Sequence, residues 1–198
     1  MEAASFPADN QLRRYNKWLT IINVLVAFYI FITPLLPGLF FYINKYSKDP
    51  PAYSGKLSES SDKKPTGNRL VIPSILLDEK IHEGPSEATL SKGVWRRPNT
   101  AVPPAENNTV LAGHIFTYTT PAVFYNLSKV NVGEKLAVYW EGSEYLYEVI
   151  NKQAVSPNSA QVEAPTQEAR LTLYTCTPLW NPVNRLVVTA NLLEVTAL

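Results

Sequence analysis

The sequence predicts an all-β domain, a closed or nearly closed β-barrel with one or two short helices, preceded by an N-terminal transmembrane helix. Three observations predict it. A 27-residue stretch from Trp18 to Asn44 carries no charge. Sixteen prolines and only eight glycines in 198 residues discourage long interior helices and favour loops between short strands. The C-terminal two thirds alternate short β-branched and aromatic runs with turn residues, as closed antiparallel architectures do.

In chain order, residues 1–17 form a short cytoplasmic tail containing Arg13, Arg14 and Lys17. Residues 18–44 form the anchor. At about 1.5 Å per residue a helix of that length reaches ~40 Å, more than the ~30 Å hydrocarbon core, leaving room for tilt or a kink at Pro34, Pro37 and Gly38. Trp18 and Tyr42 suit the two interfaces. The segment Tyr42–Ser47 offers no small-residue cleavage site, which favours an uncleaved anchor over a signal peptide. Lysines and arginines flank the anchor on both sides, so charge alone does not orient it. Residues 45–68 are rich in Lys, Ser, Asp, Glu and Pro and too poor in apolar residues for a core; they read as a flexible linker.

Folded structure is expected over residues 69–198, opening with Arg69-Leu70-Val71-Ile72-Pro73. Strands are expected at Thr109–Phe116, Glu134–Trp140, Ser143–Ala154, Leu171–Cys176 and Arg185–Leu193. Glu141-Gly142-Ser143 reads as a hairpin turn. Short helices are expected at Ser86–Lys92 and Pro121–Val130. Trp95-Arg96-Arg97 reads as a packed indole with solvated arginines.

Composition excludes several functions. Charged residues are 18% against about 25% in soluble domains, and the net charge of +1 supplies no basic field for nucleic acid. One cysteine excludes an internal disulfide, and one cysteine with two histidines excludes a zinc-finger site within the chain. Glu106, Glu163 and Glu168 form no dense acidic cluster; no metal and no cofactor are expected.

Chemistry concentrates at three residues. Cys176 ends the apolar run Leu171–Cys176, an eight-residue loop with two prolines and two asparagines follows, and Arg185 opens the next run. If the two strands pair, thiol and guanidinium share one rim, where a low-pKa nucleophile is built. Leu111-Ala112-Gly113-His114 sets an imidazole beside small residues. Cysteine, histidine and arginine suffice for acyl transfer: nucleophile, proton carrier and holder of the developing oxyanion. Taken singly, each also has a structural reading: a packed thiol, a hydrogen-bonded imidazole, a solvated guanidinium.

At these residues the chain resembles the sortases, membrane-anchored cysteine transpeptidases. Thr172-Leu173-Tyr174-Thr175-Cys176 matches the family signature Thr-Leu-x-Thr-Cys, Arg185 matches the arginine of the following strand, and Ala112-Gly113-His114 matches the histidine context. The resemblance implies an eight-stranded barrel with catalytic Cys176, His114 and Arg185. It further implies substrate contact or positioning by Thr175; Trp180, in the loop after the cysteine, is a candidate lining of the substrate channel. The implied reaction cleaves a Leu-Pro-x-Thr-Gly-like signal on surface proteins through a thioester. The protein is then joined to an amine of a peptidoglycan precursor or a pilin lysine. The implied setting is a single-pass membrane protein with its catalytic domain outside the cell. Asp49-Pro50 is followed by Pro51 where lid-bearing relatives carry an aromatic, which argues against a plugging lid. A cysteine peptidase and a non-catalytic binding module are the alternatives.

Overall fold

The computed structural model describes residues 8–33, 35, 36, 39, 43, 66–103, 105–116, 122–177 and 183–198. The expected linker, apart from residues 66–68, lies outside them, as do the lid motif and Trp180.

The N-terminal unit holds one long helix, α1 (Ala8–Ile32). Its Gln11–Ile32 stretch is long and apolar enough to cross a membrane; 22 residues rise about 33 Å. The helix starts ten residues before the expected anchor and takes in Arg13, Arg14 and Lys17. Leu19, Ile22, Leu25, Phe28 and Phe31 are all exposed to the surroundings, covering the helix on several sides. Its hydroxyls turn back on the backbone: Thr20 donates to the Asn16 carbonyl at 2.8 Å and Thr33 to that of Tyr29 at 2.6 Å. Polar groups satisfied in this way are compatible with a hydrocarbon environment.

The second unit is a closed barrel of eight strands, the architecture read from the sequence. They are β1 (Arg69–Ile72), β2 (Leu77–His82), β3 (Val94–Arg96), β4 (Asn108–Ala112), β5 (Lys135–Trp140), β6 (Ser143–Val155), β7 (Arg170–Thr177) and β8 (Asn184–Ala197). Around the barrel they run β1-β2-β3-β4-β7-β8-β6-β5, and β5 closes on β1. Two pairings are parallel, β2 with β3 and β4 with β7; the rest are antiparallel. Every residue of β4 is buried, as is β7 from Leu171 to Thr175, so both faces of this central pair are covered.

Several local features follow from residue chemistry. Glu141 and Gly142 adopt φ of 47° and 79°, and Trp140 pairs with Ser143, which makes the expected hairpin a two-residue turn. Of the expected helix at Pro121–Val130, the described residues, 122–130, are instead a run of turns, with a single 3₁₀ turn at Leu127–Lys129. Leu127 bonds Phe124, Lys129 bonds Asn126 and Val130 bonds Leu127, each through i→i+3. Phe124, Leu127 and Val130 are fully buried, and their spacing of three suits 3₁₀ geometry better than an α-helix. The Ser86–Lys92 element is likewise 3₁₀, over Glu87–Lys92. Strand β4 stops at Ala112 rather than Phe116, because the His114 carbonyl receives the Phe124 N–H at 3.0 Å.

Asn108 fastens the β6–β7 connection to the sheet. Its Nδ2 donates to the carbonyls of Val162 and Ala164, both at 3.1 Å, and its Oδ1 accepts from the Thr172 hydroxyl at 2.7 Å. Replacing it strands two buried partners and a half-buried one, and each buried group left unsatisfied costs about 1–3 kcal/mol. We therefore expect Asn108→Ala to lower unfolding free energy by about 3 kcal/mol, measured by urea denaturation; a loss below ~1 kcal/mol contradicts this.

Candidate active site

The β7 strand alternates its side chains, so Thr172, Tyr174 and Cys176 share one face and Leu171, Leu173 and Thr175 the other. Register extends the first face to both neighbours. On β4, Val110 pairs with Thr172 and Ala112 with Tyr174; on β8, Val187 pairs with Tyr174 and Arg185 with Cys176. Trp95, Val110, Ala112, Tyr174 and Val187 pack together on this face, and Val162 of the β6–β7 connection covers them.

Cys176 is a free, exposed thiol where that row leaves the packed cluster. Arg185 is its cross-strand partner, on a strand about 4.8 Å away. The guanidinium of Arg185 lies over the Tyr174 ring, 5.0 Å from its centroid. His114 stands two residues beyond Ala112, as Cys176 stands two beyond Tyr174, in the direction of the parallel pair. The Gly113 N–H carries the ladder past Ala112 by donating to the Tyr174 carbonyl at 3.2 Å. The structure thus brings Cys176, Arg185 and His114 to the same end of three adjacent strands, with His114 half-buried.

Thr175, expected to contact or position substrate, faces away from Cys176. It is 1% exposed on the face opposite Cys176, and its hydroxyl donates to the Gly113 carbonyl at 2.8 Å. This bond ties the residue before His114 to the residue before Cys176. Trp180 falls outside the described residues.

Sequence reasoning missed a polar network next to this row. The Tyr174 hydroxyl donates to Glu163 Oε1 at 2.9 Å, and the same oxygen accepts Arg97 Nε at 2.8 Å. Arg97 lies 4.5 Å above the Trp95 ring, and the Trp95 indole N–H donates to the Gly84 carbonyl at 3.0 Å. The expected solvated arginines are therefore paired, Arg96 with Glu83 and Arg97 with Glu163. Burial first, and the Glu163 carboxylate second, push the Tyr174 phenol well above its ordinary pKa, so it stays a donor across the physiological range. The available signal was the aromatic residue two before the cysteine, which strand alternation puts on the same face.

Farther along the face, a cleft of about 340 Å³ is lined by Thr172, Val187, Thr189, Val155, Val162 and Arg170 among others. Among the described residues no group of three or more His, Cys, Asp or Glu is placed to hold a metal ion.

A sequence model of the Sortase domain matches residues 70–193. Sortase A of Bacillus anthracis is 26% identical over 156 residues, covering 79% of this chain and 73% of that protein. Among solved structures, sortase C-1 from Actinomyces oris is similar with 31% identity and a TM-score of 0.60, over 72% of this chain and 81% of that one. A lid mutant of Sortase A from Corynebacterium diphtheriae is similar with 27% identity and a TM-score of 0.61, over 70% of this chain and 75% of that one.

Gly113 leaves no room for a side chain. A Cβ there would lie 2.7 Å from both Phe124 Cδ2 and Val123 Cγ2, and Phe124 is fully buried. Gly113→Ala must push these residues, and with them the chain that carries His114. We expect a loss of about 1–3 kcal/mol in stability, seen in thermal melting. A variant as stable as the parent refutes the packing argument.

Proposed function

The chain belongs to the sortase family, and on that footing we propose that it cleaves a Leu-Pro-x-Thr-Gly-like C-terminal signal and transfers the cleaved protein to an amine. Membership makes it a cell-wall sorting transpeptidase in general. The observation that carries the finer reading is the exposed Cys176 thiol paired across strands with Arg185, on a row that continues to His114.

Each residue has a role that balances the reaction. Cys176 Sγ attacks the carbonyl carbon of the signal's threonine, and His114 takes up the thiol proton. As the tetrahedral centre collapses, the Thr–Gly bond breaks and His114 returns the proton to the departing glycine amine. The product is a thioester on Cys176. An incoming amine, from a peptidoglycan precursor or a pilin lysine, attacks that carbonyl. The C–S bond breaks, an amide forms, and the proton passes through His114 back to sulfur. Arg185 donates to the carbonyl oxygen while it bears negative charge, when the guanidinium contributes most. Thr175 is a positioning residue, since its bond to Gly113 joins the two strand ends. The cleft lined by Thr172, Val187 and Thr189 lies on the same face, upstream along β7, and suits side chains preceding the scissile bond. No cofactor is needed for any step. Helix α1 is the proposed single-pass anchor, with the barrel outside the cell where both substrates are found.

The intact chain in detergent micelles, a Leu-Pro-x-Thr-Gly peptide and a nucleophilic amine test the reading together. Amine-dependent ligated product is the expected result. Cleavage indifferent to amine indicates a cysteine peptidase, and no cleavage indicates a binding module; either overturns the proposal. Cys176→Ala should abolish turnover without lowering the melting temperature.

Arg185→Lys should lower kcat/KM by roughly tenfold or more, because a point charge replaces a planar, two-pronged donor. Full activity in that variant removes the oriented-guanidinium role.

A further inference from the structure

The Arg185 guanidinium is held by something, and it is not a carboxylate: among the described residues no acidic side chain pairs with it. Its contact is the face of Tyr174, 5.0 Å from the ring centroid. That ring is itself fixed. Tyr174 is only 8% exposed, wedged among Trp95, Val110, Ala112, Val162 and Val187. Its far end is pinned by the hydrogen bond to Glu163, whose accepting oxygen is shared with Arg97. Arg97 in turn stacks on Trp95, which is anchored to the Gly84 carbonyl. A rigid aromatic face with a buried, oriented hydroxyl is a preorganised seat for a cation.

The seat also has a favourable charge distribution. A phenol that donates to a carboxylate keeps more electron density in its ring, which deepens the negative potential above the face. A carboxylate directly on Arg185 would occupy the donors the reaction requires and neutralise the charge. A ring fixes the plane of the guanidinium while leaving its edge N–H groups free for a substrate oxygen.

We propose that Tyr174 is a positioning residue for Arg185, with Glu163 and Arg97 as the clamp that fixes its ring. The residue acts through Arg185 and touches no reacting atom. Its catalytic consequence rests on the role given to Arg185 above; the seat itself does not. The clamp also ties the β6–β7 connection, through Glu163, to the residue that would meet the oxyanion.

The test uses the intact chain in micelles and reads structure and activity separately. In the unaltered protein, nuclear Overhauser contacts are expected between the Tyr174 ring protons and the Arg185 δ-methylene, with that methylene shifted upfield by the ring. Absence of both overturns the seat, whether or not any variant folds. Tyr174→Phe keeps the ring but frees it from Glu163, so it should retain the contacts in weakened form and lower kcat/KM by about threefold; parental contacts and kcat/KM in this variant refute the clamp. Tyr174→Leu should abolish the contacts and lower kcat about tenfold with a smaller change in KM. In an Arg185→Ala background, Tyr174→Leu should lower the residual rate less than about twofold, because the group it positions is gone. A full tenfold loss in that background assigns Tyr174 a general structural role and refutes the proposal. If the unaltered chain turns over no peptide, the reaction assigned above fails, and the ring contacts alone decide whether the seat exists.

Discussion

The parallel ladder between β4 and β7 is the constraint on which the site depends. Parallel strands cannot be joined by a tight turn, so β5 and β6 must be built before the chain returns to lie beside β4. Register in such a pair decides which side chains face the cleft. A slip of one residue on β7 would turn Cys176 into the interior and present Thr175 instead. Two side-chain bonds between the strands resist that slip, Thr172 to Asn108 near one end and Thr175 to the Gly113 carbonyl at the other. Thr172 and Thr175, on either side of Tyr174, thus have structural work that their position in the motif does not announce. An apolar residue at either site would leave a buried acceptor, Asn108 Oδ1 or the Gly113 carbonyl, without this donor and the register weakly specified.

Much of the barrel was legible because its long strands carry β-branched and aromatic residues with clear turn boundaries. Strands β5 to β8 fall close to where the sequence puts them. Strands β2 and β3 were not foreseen, for different reasons. In Leu77–His82 three consecutive polar residues, Asp78, Glu79 and Lys80, are exposed, which hides the period-two pattern. In Val94–Arg96 three residues are too few to show any period, and only the pairing with β2 and β4 makes them a strand. The turns around Phe124 failed as a helix because the segment is organised by its contacts with Gly113 and His114, which are distant from it in neither sequence nor space but invisible to local propensity.

The site was legible to a different depth. Cys176 and Arg185 needed only strand pairing across a loop, which the sequence supports directly. The placement of His114 needed the β4–β7 pairing, which no local pattern specifies and only the family resemblance supplied. The partners of Tyr174 were out of reach, because Glu163 lies on an irregular connection and Arg97 beyond a three-residue strand. The burial of Thr175 was not legible from its neighbour: Cys176 is exposed, but alternation sends the two side chains to opposite faces.

The long path between β4 and β7 has a kinetic side. Contacts between elements so far apart in the chain must overcome a large closure entropy, and topologies rich in them fold slowly. No fragment ending before β8 contains the arrangement of thiol, imidazole and guanidinium, since Arg185 arrives with the last strand. In a nascent or partly folded chain that lacks β8, Cys176 is therefore without its cross-strand partner Arg185. The same last strand supplies Val187 and Thr189 to the wall of the neighbouring cleft, so the topology completes that cleft and the Cys176–Arg185 pair together.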